Sequence, residues 1–424
     1  MNPEAGRQRV LVVGQGYVGL PVAMRSVAVG HAVMGFDSDE ERVKLLAAGE
    51  SQVEDVPAPT LMAALATGRY RPSSRPDDCA GFDVAVIAVP TPLAEGVPDL
   101  SHIEAAGAML AHHVRRGATV VLESTTYPGT TEELLVPIIE NGSGLAAGLD
   151  FHVGYSPERI DPGNPIWTLA NTPKVVSGID EASLEAVRSF YETIVERTVV
   201  VAGPKEAELT KLLENTFRHV NIALVNELAM FAHDLGINVR EAIDAATTKP
   251  FGFMQFEPGP GVGGHCLPID PSYLSWRVRR RLGQPFRFVE LANDVNDHMP
   301  EYVVRRLLVA LNRQRMAVNG SRVLLLGLSY KRNTGDARES PAIRVARELL
   351  TLGAEVRAAD PYVADRWVDP RVVRVDPTVD ELSSADAVVV LTDHDAFDFD
   401  AVTEYGRYVL DTRNRVHGDR VESL

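Results

Sequence analysis

Cys266 is one of only two cysteines in the chain. It stands in GPGVGGHCLPIDPSYL (Gly259–Leu274), between a glycine-rich turn and an expected helix start. Gly261, Gly263 and Gly264 permit positive φ and close backbone approach, so a bulky ligand can lie against the main chain beside the thiol. Asp270 and Pro271 read as the N-cap and first-turn proline of a helix through Tyr273, Trp276 and Val278. A thiol near a helix N-terminus is biased toward thiolate, the form that attacks carbonyl carbon. The alternative for a cysteine in such a loop is a small buried hydrophobe. Lys211 and Asn215 are four residues apart on an expected helix over Pro204–Asp234, so they project from one face about 6 Å apart. A cation and an amide so placed could stabilise a developing oxyanion. A lysine on such a helix otherwise reaches water or pairs with an acid such as Glu208 or Glu214. Asn226 shares nearly that face but lies about 22 Å further along, so one small site cannot use both ends. Glu158 follows an expected strand over Phe151–Tyr155, where it is placed for catalysis or is plain surface.

These residues need elements to hold them. Arg9–Val13 is a short apolar run leading into Gly14-Gln15-Gly16-Tyr17-Val18-Gly19 and then a helix through Val29. This is GxGxxG in strand-turn-helix context, where glycines admit a pyrophosphate to the backbone and the helix N-terminus binds its charge. A second strand, Ala32–Phe36, ends in Asp37, whose carboxylate can accept both ribose hydroxyls of an adenosine. No basic residue able to meet a 2′-phosphate follows until Arg42, which favours NAD over NADP. Strands over Val84–Val89 and Thr119–Leu122, with a helix around Ile103–Val114 between them, continue the βαβ rhythm of a parallel doubly wound sheet. Ligands in such sheets lie beyond the carboxyl ends of strands. Pro90, Thr91 and Thr125 occupy those loops and should face the nicotinamide half.

The helix over Pro204–Asp234 is apolar around much of its circumference, so it should be covered, in a domain junction or a subunit interface. Helices over Arg287–Asn296 and Pro300–Asn312 follow, and Val318–Ser321 marks a boundary. A second α/β unit begins with a strand at Arg322–Leu326. A helix from Pro341 to Leu352 and strands at Glu355–Ala359, Asp386–Leu391 and Tyr408–Leu410 repeat the nucleotide-fold rhythm without GxGxxG. Lys331, Arg338 and Arg413 lie in loops after strands, where they could hold phosphates or serve as solvated surface charges.

The expected architecture is therefore α/β, with two Rossmann-like parallel-sheet domains joined by a central long-helix domain: residues 1–203, 204–318 and 319–424. The net charge of -16 argues against nucleic acid or an anionic membrane as a main partner. Cys79 and Cys266 form neither a disulfide framework nor a zinc spacing, so no metal is expected. No run of eighteen apolar residues and no signal-peptide core is present, and a cytoplasmic protein is expected.

Taken together, VVGQGYVGLP, VAVIAVPTP, ESTTYPGTTEE, YSPERIDPGN, ELTKLLENTFRHVNIALVNELA, PGPGVGGHCLPIDPSYL and GLSYKRNTGDARESPA resemble the nucleotide-sugar 6-dehydrogenases nearly end to end. This family includes UDP-glucose and UDP-N-acetylhexosamine dehydrogenases. The resemblance implies NAD in the first unit, a UDP-hexose in the last, and a homodimer built around the central helix. It implies Cys266 as nucleophile, with Lys211, Asn215 and Asp270 orienting the thiol, the oxyanion and a water. Thr125 and Glu158 match catalytic positions, Glu158, Arg159 and Gly263 lie with the substrate, Lys331 and Arg413 contact the nucleotide sugar, and Arg338 lies near the cofactor. SPERIDPG resembles the N-acetylhexosamine branch, because the UDP-glucose branch often carries a second glutamate where this chain has Pro162. The implied chemistry is a four-electron oxidation of the hexose primary alcohol through a thiohemiacetal and a thioester on Cys266. One rival is a two-electron β-hydroxyacid-type dehydrogenase, which shares the first unit and long helix but needs no cysteine. The other is a sensor that binds both nucleotides without turnover, against which the intact Cys266, Lys211 and Asn215 argue.

Overall fold

The structure, a computed structural model, describes residues 7–53, 55–94, 96–160, 164, 166–264 and 267–424. Cys266 and Pro162, both singled out above, lie outside the described residues. The chain forms two compact units, Met1–Glu214 and Asn215–Leu424. Among the described residues no helix is long and apolar enough to cross a membrane.

The first unit is an eight-stranded sheet in the order Thr198–Val200, Lys174–Gly178, His152–Tyr155, Thr119–Leu122, Val84–Ile87, Arg9–Val13, Ala32–Phe36 and Tyr70–Ser73. Arg9–Val13 lies in its interior, between Val84–Ile87 and Ala32–Phe36, where four successive aliphatic side chains are buried, as parallel strands covered by helices require. Each such burial contributes about 1.5–3 kcal/mol. The sheet is not wholly parallel, contrary to expectation. Lys174–Gly178 runs antiparallel to His152–Tyr155, and Thr198–Val200 runs parallel to Lys174–Gly178. The reversal brings the first residue of the Lys174 strand to the rim where its neighbours end.

The second unit holds a wholly parallel six-stranded sheet ordered Val373–Arg374, Glu355–Ala359, Arg322–Leu326, Ala387–Val390, Val409–Asp411 and Val421–Ser423. Its first turn copies that of the other sheet despite lacking the motif. Gly14 N donates to Phe36 O at 2.8 Å and Gly327 N to Ala359 O at 2.9 Å. A Cβ on Gly14 would lie 2.4 Å from the Ala88 carbonyl oxygen, and one on Gly327 would lie 2.3 Å from that of Thr392. Both glycines have positive φ. The backbone N–H groups of Gln15 and Leu328 reach Asp37 and Asp360 at 2.8 and 2.6 Å.

The long helix is observed over Pro204–Asp234. Proline suits its first turn, where no backbone donor is needed. Gly236, at φ 69, stops it, with Ile237 N returning to Ala232 O at 2.8 Å. Its apolar stripe is not all covered: Phe217, Leu224, Leu228 and Phe231 are each about half exposed. The two helices expected after the glycine loop are one, Arg287–Arg313, with Pro300 inside. Proline at that position cannot donate to the carbonyl of Asn296 four residues back. Gly261 comes close to that carbonyl, since a Cβ there would lie 2.9 Å from its oxygen.

Candidate active site

The glycine turn of the first unit is shaped for a dinucleotide. A Cβ on Gly19 would fall 1.9 Å from the Gly14 carbonyl oxygen, so helix Gly19–Ala28 sits directly on the turn, whereas one on Gly16 meets no atom within 4 Å. Gly16 is thus the point at which a pyrophosphate can approach the backbone, with Tyr17 exposed beside it and Val18 as the helix cap residue. Asp37 is buried, and its carboxylate accepts from the N–H groups of Gln15 and Asp39 and from Arg42 Nη1 at 2.9 Å. Arg42 is therefore committed to Asp37, neutralising it. At the neighbouring strand ends, Ser124 Oγ accepts from Val89 N at 2.9 Å and donates to Val89 O at 2.8 Å. This staple sets Thr91 beside Thr125, whose carbonyl takes the Thr91 hydroxyl at 2.8 Å, and leaves Pro90 exposed at the rim.

A second cluster of the same unit gathers around Glu158. Glu158 is not the exposed loop glutamate of the alternative reading; it is buried. Its Oε1 accepts the N–H groups of Arg159 and Ile160, each at 2.6 Å, and its Oε2 lies 2.9 Å from Lys174 Nζ. Burial opposes the charge on this carboxylate, but Lys174, assisted by Lys211 and the Ile160 N–H, outweighs burial and holds the carboxyl below its usual range. Lys211 pairs with neither Glu208 nor Glu214. Its ammonium donates to the backbone carbonyl of Glu158 at 2.5 Å. Glu208 instead accepts from Gly129 N, Thr131 N and the Thr131 hydroxyl at 2.6, 2.9 and 2.7 Å. Glu214 takes Arg159 at 2.6 Å, and Arg159 also reaches the Pro173 carbonyl.

In the second unit Asn215, one turn beyond Lys211 on the long helix, donates to Asp270 Oδ2 at 2.5 Å, with both side chains buried. Asp270 is not an N-cap. The helix spans Asp270–Leu282 with Ile269 in the cap position in αR conformation and no side-chain cap bond. As the first helical residue, Asp270 directs its carboxylate to Asn215 rather than to the N–H groups of its own helix. The glycine loop is packed against the 330–341 segment. A Cβ on Gly263 would lie 2.7 Å from both the Glu339 carbonyl oxygen and Tyr330 Cβ, and Gly264 N donates to Arg338 O at 2.9 Å. Arg338 spends its guanidinium on Asp336, at 2.6 and 2.9 Å. Lys331 is half-buried, its carbonyl taking the hydroxyls of Ser329 and Thr334. Arg413 donates Nε to Leu391 O at 2.7 Å, and its Nη1 lies 2.9 Å from where a Gly259 Cβ would stand.

Three functional candidates were not anticipated from sequence. Lys174 bridges Glu158 and Glu123, at 2.9 and 3.0 Å. Asn226 accepts Gly259 N at 2.9 Å and donates to Asn296 Oδ1 at 2.9 Å, tying the glycine loop to the buried side of helix Arg287–Arg313. The only signal for Asn226 and Asn296 is an amide among apolar neighbours on a helical face; for Lys174 it is a basic residue opening an apolar strand.

A glycine turn of dinucleotide type with a buried acid at the end of the next strand, followed by a second nucleotide-type sheet, is the frame of an NAD-dependent dehydrogenase acting on a nucleotide-linked substrate. The comparisons agree on the class. Residues 8–195 match the NAD binding domain, 205–298 the central domain and 324–418 the UDP binding domain of the UDP-glucose/GDP-mannose dehydrogenase family. The chain is 37% identical over 390 residues to the UDP-N-acetyl-D-mannosamine dehydrogenase of Pyrococcus horikoshii, covering 92% of this chain and 90% of the relative. It is 38% identical over 358 residues to a UDP-N-acetyl-D-glucosamine 6-dehydrogenase of Pseudomonas aeruginosa, covering 84% and 83%. A solved structure of the UDP-D-ManNAc dehydrogenase from Pyrococcus horikoshii superposes with a TM-score of 0.89 at 34% identity, covering 98% of each chain. The chain belongs to the UDP-glucose/GDP-mannose dehydrogenase family, the nucleotide-sugar 6-dehydrogenases, and is an NAD-dependent oxidoreductase acting on a CH–OH group.

Proposed function

We propose that the chain oxidises the primary alcohol of a UDP-N-acetylhexosamine to the corresponding uronate, a four-electron reaction that consumes two NAD+ and one water. The observation that carries this reading is the buried Asn215–Asp270 contact at 2.5 Å, in which an amide of the long helix is fixed on a carboxylate that stands four residues beyond Cys266 in sequence. SPERIDPG, with Pro162 at the branch position, and the N-acetylhexosamine substrates for which the two relatives are named support the N-acetylhexosamine over UDP-glucose.

NAD+, when bound on Gly14, Gly16, Tyr17, Val18 and Gly19 with its ribose at Asp37, supplies the hydride acceptor for each of two oxidations. Thr91, Thr125 and Pro90 line its nicotinamide end, and Arg338 serves the cofactor side. The Cys266 thiolate adds to the C6 aldehyde as a thiohemiacetal and, after the second oxidation, holds the acyl group as a thioester. Lys211 and Asn215 steady the oxyanion at C6. Asp270 or Glu158 positions the water that adds to the thioester carbon; the C–S bond then breaks, releasing carboxylate and thiolate. Lys331 and Arg413 hold the UDP moiety, with Arg159 and Gly263 at the sugar. The functional parts follow residues 1–203, 204–318 and 319–424. The working form is a homodimer in which Phe217, Leu224, Leu228 and Phe231, at spacings of seven, four and three on one helical face, are covered by a second copy.

The test is a panel of UDP-N-acetylglucosamine, UDP-N-acetylmannosamine, UDP-N-acetylgalactosamine and UDP-glucose with NAD+, followed by NADH absorbance and product mass. Two NADH per UDP-uronate are expected from an N-acetylhexosamine. One NADH per substrate, or binding without turnover, would refute the mechanism, and preferred turnover of UDP-glucose would refute the substrate. Light scattering should give twice the 46.1 kDa chain mass.

A further inference from the structure

Lys174 has no part in the reading above, yet its side chain is buried among charges. Because its strand runs antiparallel to His152–Tyr155, its first residue meets Glu123 and Glu158, which follow the carboxyl ends of two adjacent parallel strands. The ammonium lies 3.0 Å from Glu123 Oε1 and 2.9 Å from Glu158 Oε2. Glu123 Oε1 also accepts the Tyr191 hydroxyl, and the Tyr191 ring centroid is 5.3 Å from Lys174 Nζ. Glu158 spends its other oxygen on two backbone N–H groups, and its carbonyl receives Lys211. Two cations and two carboxylates thus alternate as Glu123, Lys174, Glu158 and Lys211.

We propose that Lys174 is a positioning residue for the dehydrogenase reaction: by clamping the carboxylates of Glu123 and Glu158, it fixes the turn whose Glu158 carbonyl seats the ammonium of Lys211. The proposal rests on the reading of Lys211 as the group that steadies the oxyanion. A buried ion pair is a poor source of stability, because desolvation offsets much of its attraction; what three paired charges and the Glu158 carbonyl that receives Lys211 do provide is a single geometry. Glu158 cannot rotate without losing Lys174 and two N–H donors together, so the carbonyl facing Lys211 is held from both sides. Without the ammonium, Glu123 and Glu158 become two buried like charges that repel or share a proton, and the turn loses one of its anchors.

The test begins with Lys174→Met combined with Glu123→Met, which removes one charge of each sign, so that Glu158 loses its ammonium partner without gaining a second buried carboxylate beside it and keeps its two backbone N–H donors. Folding is checked by circular dichroism and thermal melting. With the UDP-hexose turned over in the panel above, kcat should fall at least tenfold while KM and the NAD+ dissociation constant stay within about threefold. Modification of Lys211 by an amine-reactive reagent, read by peptide mass, should rise at least threefold. In a Lys211→Ala background the same pair of changes should cost less than twofold in kcat. Wild-type turnover with unchanged Lys211 modification, or equal losses in the two backgrounds, would overturn the proposal. Lys174→Arg, which keeps the charge, should recover most of the turnover; failure to do so in a folded protein counts against the clamp. Where the double variant does not fold, Glu123→Gln loosens the clamp from one side and should raise Lys211 modification about twofold, an unchanged value again overturning the idea. Should Lys211→Ala alone leave kcat untouched, the oxyanion reading fails while the modification readout still decides whether Lys174 seats Lys211.

Discussion

Glu208 offers a quantitative test of how burial and hydrogen bonding compete in this protein. Its carboxylate sits one turn before Lys211 on the long helix and accepts three donors from Gly129 and Thr131. Burial pushes its pKa up from 4.5, and the three donors pull it back only as far as about 7. The folded state therefore holds the proton between those values, where the unfolded chain has released it. The contribution is complete below pH 4.5 and is lost as pH rises through about 7. A shift of this size corresponds to about 3 kcal/mol at 1.36 kcal/mol per unit. Glu208→Gln is neutral at every pH, so it should be the less stable form at pH 5, where its amide opposes the Gly129 or Thr131 N–H. Its deficit relative to wild type should then shrink by about 2.5 kcal/mol by pH 8, since part of the contribution is already lost at pH 5. Urea unfolding of both proteins from pH 5 to 8, taken as a difference, cancels the other titrating groups. A difference independent of pH would mean that the three donors outweigh burial and that the carboxylate stays ionised throughout.

Replacing Cys266 by serine should leave folding and NAD binding intact but stall oxidation, with an acyl ester on the new hydroxyl detectable by intact mass; two-NADH turnover at the wild-type rate would return Cys266 to a structural role. Asp37→Asn should raise kcat/KM with NADP+ by about tenfold or more, because Arg42 is released from its 2.9 Å pairing to meet a 2′-phosphate; an unchanged NAD+ to NADP+ ratio would count against Asp37 at the ribose. Gly261→Ala combines a φ of 122° with a Cβ 2.9 Å from the Asn296 carbonyl oxygen and should cost about 1–3 kcal/mol by thermal unfolding. A melting temperature equal to wild type would show that the loop and the Pro300 helix are not tightly packed.

Apolar runs bounded by glycine or proline were legible to within about two residues, because strand and helix ends there are set by local chemistry; Arg9–Val13, Ala32–Phe36, Arg322–Leu326 and Pro204–Asp234 are found as expected. The Asp37 turn was legible for the same reason, since its spacing is itself the motif. Strand direction was not: nothing local in Lys174–Gly178 says that it runs backwards, so the Lys174 bridge stayed hidden. Pro300 looked like a helix boundary, but packing on the Asn226 and Asn296 side carries the helix across the missing donor. Asp270 carried a cap signature, yet its partner is Asn215, 55 residues away in sequence, a pairing that no short window contains. For Glu158 and Lys211 the residue types were visible and their partners were not, because a carbonyl acceptor leaves no trace in side-chain patterning.

The two glycine turns use their acids differently. Asp37 keeps its ties to two backbone N–H groups and one arginine near the surface. Asp360, its counterpart, is saturated from within: Leu328, Ser329, Tyr362 and Val363 donate backbone N–H groups to it, and the fully buried ring of His394 lies 3.0 Å away. These contacts hold its pKa at about 2 against the effect of burial, so it stays charged while offering nothing to a ribose. In that half the acid at the strand end is a keystone of the fold rather than a group open to a ligand. The two arrangements exclude each other. Introducing a GxGxxG sequence after Leu326 would supply a phosphate cradle but not the acid, and freeing the acid would cost the second sheet its own turn.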